Sequence, residues 1–201
     1  MLIARSNMSM IEWLATLLGI ACVALAAARS IWTFPTAIVS VALVGVVVFE
    51  ARLYSDALLQ AFFAVANLYG WWGWSRARER MGSVVVERMS GAARLWWSVF
   101  GVAAAMAWGA AMHRFTDAAY PWWDAAIAAA SVAAQILMAL RRIENWLIWI
   151  AVDVATVPLY LAKGLYVFAG LYVIYLALAI RGFRDWRRAE TRWPPAGAAA
   201  A

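Results

Sequence analysis

Long apolar stretches alternate along the chain with short clusters of arginine. The runs are Ile11–Ala28, Ile31–Phe49, Ala57–Trp74, Leu95–Met112, Trp122–Leu140, Trp146–Ala162 and Leu165–Ile180. Each approaches the ~20 residues that an α-helix needs to cross the hydrocarbon of a bilayer. The pattern predicts an all-α integral membrane protein with seven transmembrane helices.

Composition agrees. A soluble domain is about 45–50% apolar, whereas this chain of 201 residues is 67% hydrophobic, with 14 tryptophans and 14% charged residues. Seven spans use up the length, so residues 1–201 read as a single membrane domain. The first run follows Arg5 and contains small residues, as a cleaved signal would, but it is long enough to span and is read as the first span. A net charge of +6 would suit a nucleic-acid binder, but the basic residues fall in loops between spans, as membrane topology requires. No nucleic-acid partner is expected. Cys22 is the only cysteine, which leaves neither an intramolecular disulfide nor a cysteine metal cluster. No cofactor is called for.

Seven spans put the termini on opposite sides. Collecting Arg29, the cluster Arg76, Arg78, Arg80, Arg88 and Arg94, the pair Arg141 and Arg142, and the tail from Arg181 to Arg192 on one side gathers 13 of the 17 basic residues. The positive-inside rule then makes the N-terminus external and the C-terminus cytoplasmic, in the inner membrane of a bacterium. The sequence also repeats itself. Gly70-Trp71-x-x-Trp74-x-Arg76 recurs as Gly182-Phe183-x-x-Trp186-x-Arg188, an offset of 112 residues. That offset also pairs Arg29 with Arg141, Leu53 with Leu165 and Tyr54 with Tyr166. Repeat one (about 10–76) and repeat two (about 122–188) are thus related, and the linker helix (about 95–112) restores the orientation of the second. The expected plan is 3+1+3 with two parallel repeats, in which substrate binds between the halves near mid-membrane.

Polar groups within the spans mark candidate chemistry. On the sixth span Asn145, Trp149, Asp153 and Thr156 follow steps of four, four and three, which places them on one helical face, with Trp146 at its border. Asp153 sits about three turns beyond Arg142, near ~12 Å deep, too far for a short side chain to reach interfacial water. It must meet protein, a cavity or a cation. Gln60 and Asn67 on the third span, Gln135 on the fifth and Tyr172 on the seventh have two readings: hydrogen-bonding partners of a small molecule, or glue between helices. Most tryptophans, including Trp74 and Trp186, fall near span ends and read as an interfacial belt. Trp149 lies deeper, and stacked indoles there would hold a flat cationic ring.

Asn145-Trp146-x-x-Trp149-x-x-x-Asp153, then Pro158-x-Tyr160 and Lys163-Gly164-Leu165-Tyr166, resemble the most characteristic block of the PnuC-type vitamin transporters. Asn67-x-Tyr69-Gly70-Trp71-Trp72-x-Trp74 resembles that family's motif at the end of the third span. The resemblance covers roughly residues 10–190. It implies facilitated diffusion of a vitamin, nicotinamide riboside first, with thiamine and then riboflavin as alternatives, trapped inside by a separate cytoplasmic kinase. It also implies that the family's tryptophan pair corresponds to Trp146 and Trp149 and its polar partners to Asn145, Gln60 and Asn67. Rival classes fit less well. A retinal protein needs a mid-membrane lysine, and Lys163, the only one, stands at a span junction. An enzyme lacks support, because His113 is the only histidine and neither a zinc-helix motif nor a nucleophile elbow is present. A structural, non-transporting protein leaves Asp153 unexplained. The sequence leaves room for a homo-oligomer.

Overall fold

A computed structural model describes residues 10–50, 54–116 and 120–190; Arg5, Arg52, Leu53, Asp117, Arg192 and Trp193 lie outside the described residues. One helix forms on each apolar run: α1 (Met10–Ala27), α2 (Thr33–Glu50), α3 (Tyr54–Met81), α4 (Gly91–Phe115), α5 (Pro121–Ala139), α6 (Glu144–Ala162) and α7 (Tyr166–Glu190). Of these, α2, α4, α5, α6 and α7 are long and apolar enough to cross a membrane, and α1 carries a shorter apolar stretch, Trp13–Ala27. The third helix runs well beyond the apolar run that predicts it. Nothing breaks it before Gly82, whose φ of +72° ends the helix. Its last turns carry Arg78 and Arg80, where cations suit the negative end of the helix dipole.

Neighbours in the bundle form a closed ring. α1 packs on α2, α2 on α3, α3 on α5, α5 on α6, α6 on α7, and α7 returns to α1, while α4 packs along α5 and reaches α6 through the Arg94–Glu144 ion pair. Ser90 caps α4 by accepting from the Ala93 amide at 3.2 Å, a contact worth about 1 kcal/mol. Pro121 opens α5 at its first turn, where its missing N–H is no loss.

Side chains close the ring at the arginine-rich end. Phe34, Trp74, Trp146 and Trp186 are fully buried there, in one cluster with Ala26, Met138, Ile143, Val84 and Val86. The belt reading of Trp74 and Trp186 is therefore corrected: both indoles turn inward. Phe34 stands edge-on to Trp74 at 4.9 Å, and Trp146 edge-on to Trp186 at 5.6 Å, the second pair displaced from the first by 112 residues along the chain. Each ring needs a glycine beside it. A Cβ on Gly70 would run into the Phe34 ring, and one on Gly182 would lie 2.6 Å from the Trp146 ring. Within a bilayer such close approach, more than water exclusion, holds helices together. Gly182→Ala should consequently lower stability by about 1–3 kcal/mol through overpacking, seen as a reduced Tm in detergent. Gly73→Ala, where an added Cβ meets nothing within 4 Å, should leave Tm unchanged.

The turns after α1 and α5 match in the same way. Arg29 and Arg141 adopt left-handed conformations, φ +56° and +59°. Ser30 N–H reaches Leu25 O and Arg29 N–H reaches Ala26 O; Arg142 N–H reaches Leu137 O and Arg141 N–H reaches Met138 O. This is the Schellman pattern, with arginine where glycine is usual. Between α3 and α4, residues 82–90 form a strap across the same end. Glu87 makes a single parallel bridge to Arg142, with Glu87 N–H donating to Arg141 O and Ile143 N–H to Glu87 O. Met89 N–H and the Arg94 side chain both donate to the Glu144 carboxylate, the latter at 2.9 Å. Val84 and Val86 sink into the aromatic cluster.

Candidate functional site

Three turns of α6 carry a line of polar groups on the face it buries. Glu144, Asn145, Trp146, Val152, Asp153, Thr156 and Leu159 are the buried residues of this helix, so the face predicted from the four-residue spacing is the one turned inward. Thr156 returns its hydroxyl proton to Val152 O at 2.7 Å and is thereby satisfied within the helix. Asn145 donates through its amide nitrogen to Arg142 O. Its Oδ1 is buried without a donor, and the indole N–H groups of Trp146 and Trp149 are buried without an acceptor. Leaving a polar atom buried and unpaired costs about 1–3 kcal/mol, so several together on one helix face are unusual and point to a functional site.

Asp153 lies deeper along the same face and is 3% exposed. Among the described residues its carboxylate meets no hydrogen-bond donor and no cation; Tyr172 and Tyr175 of α7 are within electrostatic range. Tyr172 stands edge-on to Tyr160 at 5.3 Å and to Tyr175 at 5.6 Å. A tyrosine ladder thus links α6 to α7 beside Asp153. Tyr175 also reaches α1, where its hydroxyl sits 2.5 Å from the place a Cβ on Gly19 would take. On that side Ser40 donates to Ala15 O at 2.9 Å and Thr33 to Cys22 O at 2.9 Å.

Across the ring, Gln135 Nε2 donates to Asn67 Oδ1 at 3.2 Å, and Asn67 Nδ2 donates to Phe63 O at 2.8 Å. These two amides bind one another across α3 and α5, as the glue reading expects, yet each keeps spare hydrogen-bonding capacity. Gln60, two turns before Asn67 on α3, is half-buried. Trp146 is set apart from the line by its neighbours: it packs edge-on to Trp186 within the closed end, while Trp149 borders that cluster and is only partly buried. Tyr175, like Tyr172, carries the two readings of a polar group within a span, and Tyr160 belongs to the motif Pro158-x-Tyr160; Ser40 was not singled out, and its hydroxyl inside an apolar helix is the signal that would have marked it.

At the opposite end of the bundle Lys163 bridges Asp124, 2.8 Å to Oδ1 and 3.0 Å to Oδ2. Its ammonium lies 6.0 Å from the centre of the Tyr120 ring. Lys163 is thus an anchor at a helix end, with no part in the line of polar groups. An apolar groove of about 690 Å³ lies between α5 and α6 on this side, lined by residues such as Trp122, Trp123, Ile127 and Val152.

Comparison with known proteins gives this arrangement a context. The family model described as nicotinamide mononucleotide transporter matches residues 9–188. The nicotinamide riboside transporter PnuC of Escherichia coli is 28% identical over 205 residues, covering 90% of this chain and 86% of its own. The riboflavin/roseoflavin transporter RibM of Streptomyces davaonensis is 34% identical over 187 residues, covering 87% and 83%. The crystal structure of the vitamin B3 transporter PnuC superposes with a TM-score of 0.74 at 24% identity, over 90% of this chain and 82% of that one, so the fold is shared. With its seven helices, five of them long and apolar enough to cross a membrane, and its polar interior face, this multi-pass membrane protein belongs to the nicotinamide mononucleotide transporter family.

Proposed function

We propose that the protein carries nicotinamide riboside by facilitated diffusion through the helix ring, without nucleotide hydrolysis. One observation carries the choice of substrate: Asn145 Oδ1, Trp149 Nε1 and the Asp153 carboxylate, all without partners, succeed one another at four-residue steps on one helix face. An orphan acceptor and an orphan donor match the N–H and C=O of a carboxamide. A lone carboxylate matches a ring that carries a positive charge. Nicotinamide riboside has both features. Trp149, with Trp146 behind it, supplies the aromatic surface, and Gln60, Asn67, Gln135 and Tyr172 are assigned to the sugar hydroxyls on the facing helices.

Parallel repeats, α1–α3 and α5–α7 joined through α4, are part of this reading. The matching turns, ring pairs and glycine contacts at an offset of 112 residues support it. Orientation follows the arginines: the basic end faces the cytoplasm of a bacterial cell, and the N-terminus is external. A cytoplasmic kinase that phosphorylates the arriving nucleoside would make uptake one-way.

Riboflavin is the second reading, because RibM is 34% identical. Its ring system is neutral, so it leaves Asp153 without a counter-charge. Isothermal titration of the purified protein with nicotinamide riboside, thiamine and riboflavin in parallel decides between them. Nicotinamide riboside should bind at least ~10-fold more tightly than riboflavin, a difference of about 1.4 kcal/mol. Tighter binding of riboflavin would overturn the assignment.

A further inference from the structure

Two indoles tie the halves of the ring together at the basic end, and each does so through the other half's helix terminus. Trp74, on α3, donates from Nε1 to Met138 O of α5 at 3.2 Å. Trp186, on α7, donates from Nε1 to Ala26 O of α1 at 3.1 Å. Donors and acceptors are both 112 residues apart, so the two bonds are reciprocal. Each acceptor carbonyl already receives a turn amide, from Arg141 N–H and Arg29 N–H respectively. The left-handed arginines therefore aim the very carbonyls that the indoles grip. The rings themselves meet at 5.6 Å.

Among the described residues, the other hydrogen bonds that cross between the halves are Arg141 Nη1 to Gly73 O, 3.2 Å, at the same end, and Gln135 to Asn67 nearer mid-membrane. At the far end the Lys163–Asp124 ion pair lies within one half, with Asp56 of α3 in electrostatic range of it across the ring, and among the described residues no hydrogen bond crosses between the halves there. Among the described residues, the hydrogen bonds that cross between the halves are thus concentrated where the indoles cross. The strap adds to the seal from one side: its backbone is bonded to Arg141, Ile143 and Glu144, all around the α5–α6 turn.

We propose that Trp74 and Trp186 form a two-bolt inner gate, and that passage to the basic side requires both indole N–H bonds to break together, with the strap travelling alongside the second half. The assignment deepens the transport reading and rests on it. In the closed state the pair holds the halves together; in the open state each carbonyl keeps its turn amide, so neither acceptor is stranded. Breaking reciprocal bonds frees no new buried orphan on the carbonyl side, which makes the closure reversible.

Cys22 is the reporter for a test. It lies on α1 one turn inside Ala26, half-buried, hydrogen-bonded to Thr33. Wild type, Trp74→Phe, Trp186→Phe and the double variant would be placed in vesicles of each sidedness and treated with a membrane-impermeant methanethiosulfonate reagent. Phenylalanine keeps an aromatic ring and removes only the donor and the second ring. Each single variant should raise Cys22 labelling about 5-fold from the basic side, the population change for one lost buried hydrogen bond. The double variant should raise it ~25-fold, with no increase from the other side. Trp108→Phe, which alters an outward-facing indole of α4 that is 48% exposed, should change nothing. Unchanged labelling with a lowered Tm would overturn the gate and leave a packing role, and a change in only one single variant would overturn the reciprocity. These rates are read without substrate. Failure of nicotinamide riboside to bind wild type would remove the substrate assignment and leave the labelling result standing.

Discussion

Asp153→Asn should weaken binding of cationic nicotinamide riboside about 30-fold and leave the affinity for its reduced, uncharged-ring form nearly unchanged. Opposite unit charges about 8 Å apart at an effective dielectric near 20 attract by ~2 kcal/mol, and asparagine removes that term while keeping size and a hydrogen-bonding oxygen. The selectivity is the point. Among the described residues the carboxylate has neither donor nor cation beside it, although it is 3% exposed, so a bound cation is its natural partner. If Asp153 were only a strut between helices, the substitution would reduce binding of both ligands by the same factor and lower Tm. Dissociation constants for the two ligands, in wild type and variant, separate these outcomes.

Trp149→Ala should weaken nicotinamide riboside by about 1–3 kcal/mol, the range for one aromatic side chain stacked on a base, with little loss of stability. Trp149 borders the closed cluster and is only partly buried, so its removal opens no large void. Trp146→Ala should do the reverse. That indole is fully buried against Trp186 and Gly182, and its truncation should cost about 3–5 kcal/mol of stability. Thermal denaturation and titration on the same preparations distinguish a ligand-facing indole from a packing one, and equal effects of the two variants on binding would contradict the division.

Much of the architecture could be read from apolar run lengths, because a bilayer sets a fixed minimum for a spanning helix. Helix ends were harder. The third apolar run stops at Trp74, yet α3 continues to Met81, since charge ends an apolar run without ending a helix; only Gly82 does that. The inward face of α6 was legible because Asn145, Trp149, Asp153 and Thr156 share a helical period and lie in a span where polarity is costly. Position along a span says nothing about direction around the helix, and for that reason Trp74 and Trp186 read as belt residues while their rings turn into the core. A signal was present: an interfacial anchor has no need to recur at the same repeat offset beside a glycine. The strap's valines carried one too, since Val84, Val85 and Val86 stand in an otherwise basic connection and two of them are buried. The bond between Asn67 and Gln135 was beyond reach, because which amides meet depends on how α3 and α5 pack.

The strap also has a mechanical meaning. It leaves α3 at Met81 and is fastened to the α5–α6 turn from Glu87 onward, so only residues 82–86 are free to pay out between one half and the other. Six Cα-to-Cα steps, fully extended, reach ~20 Å. The chain is therefore leashed: however the halves rock, Met81 and Glu87 never part by more than that length, and the stroke at the basic end is limited by covalent reach as well as by the contacts that close it.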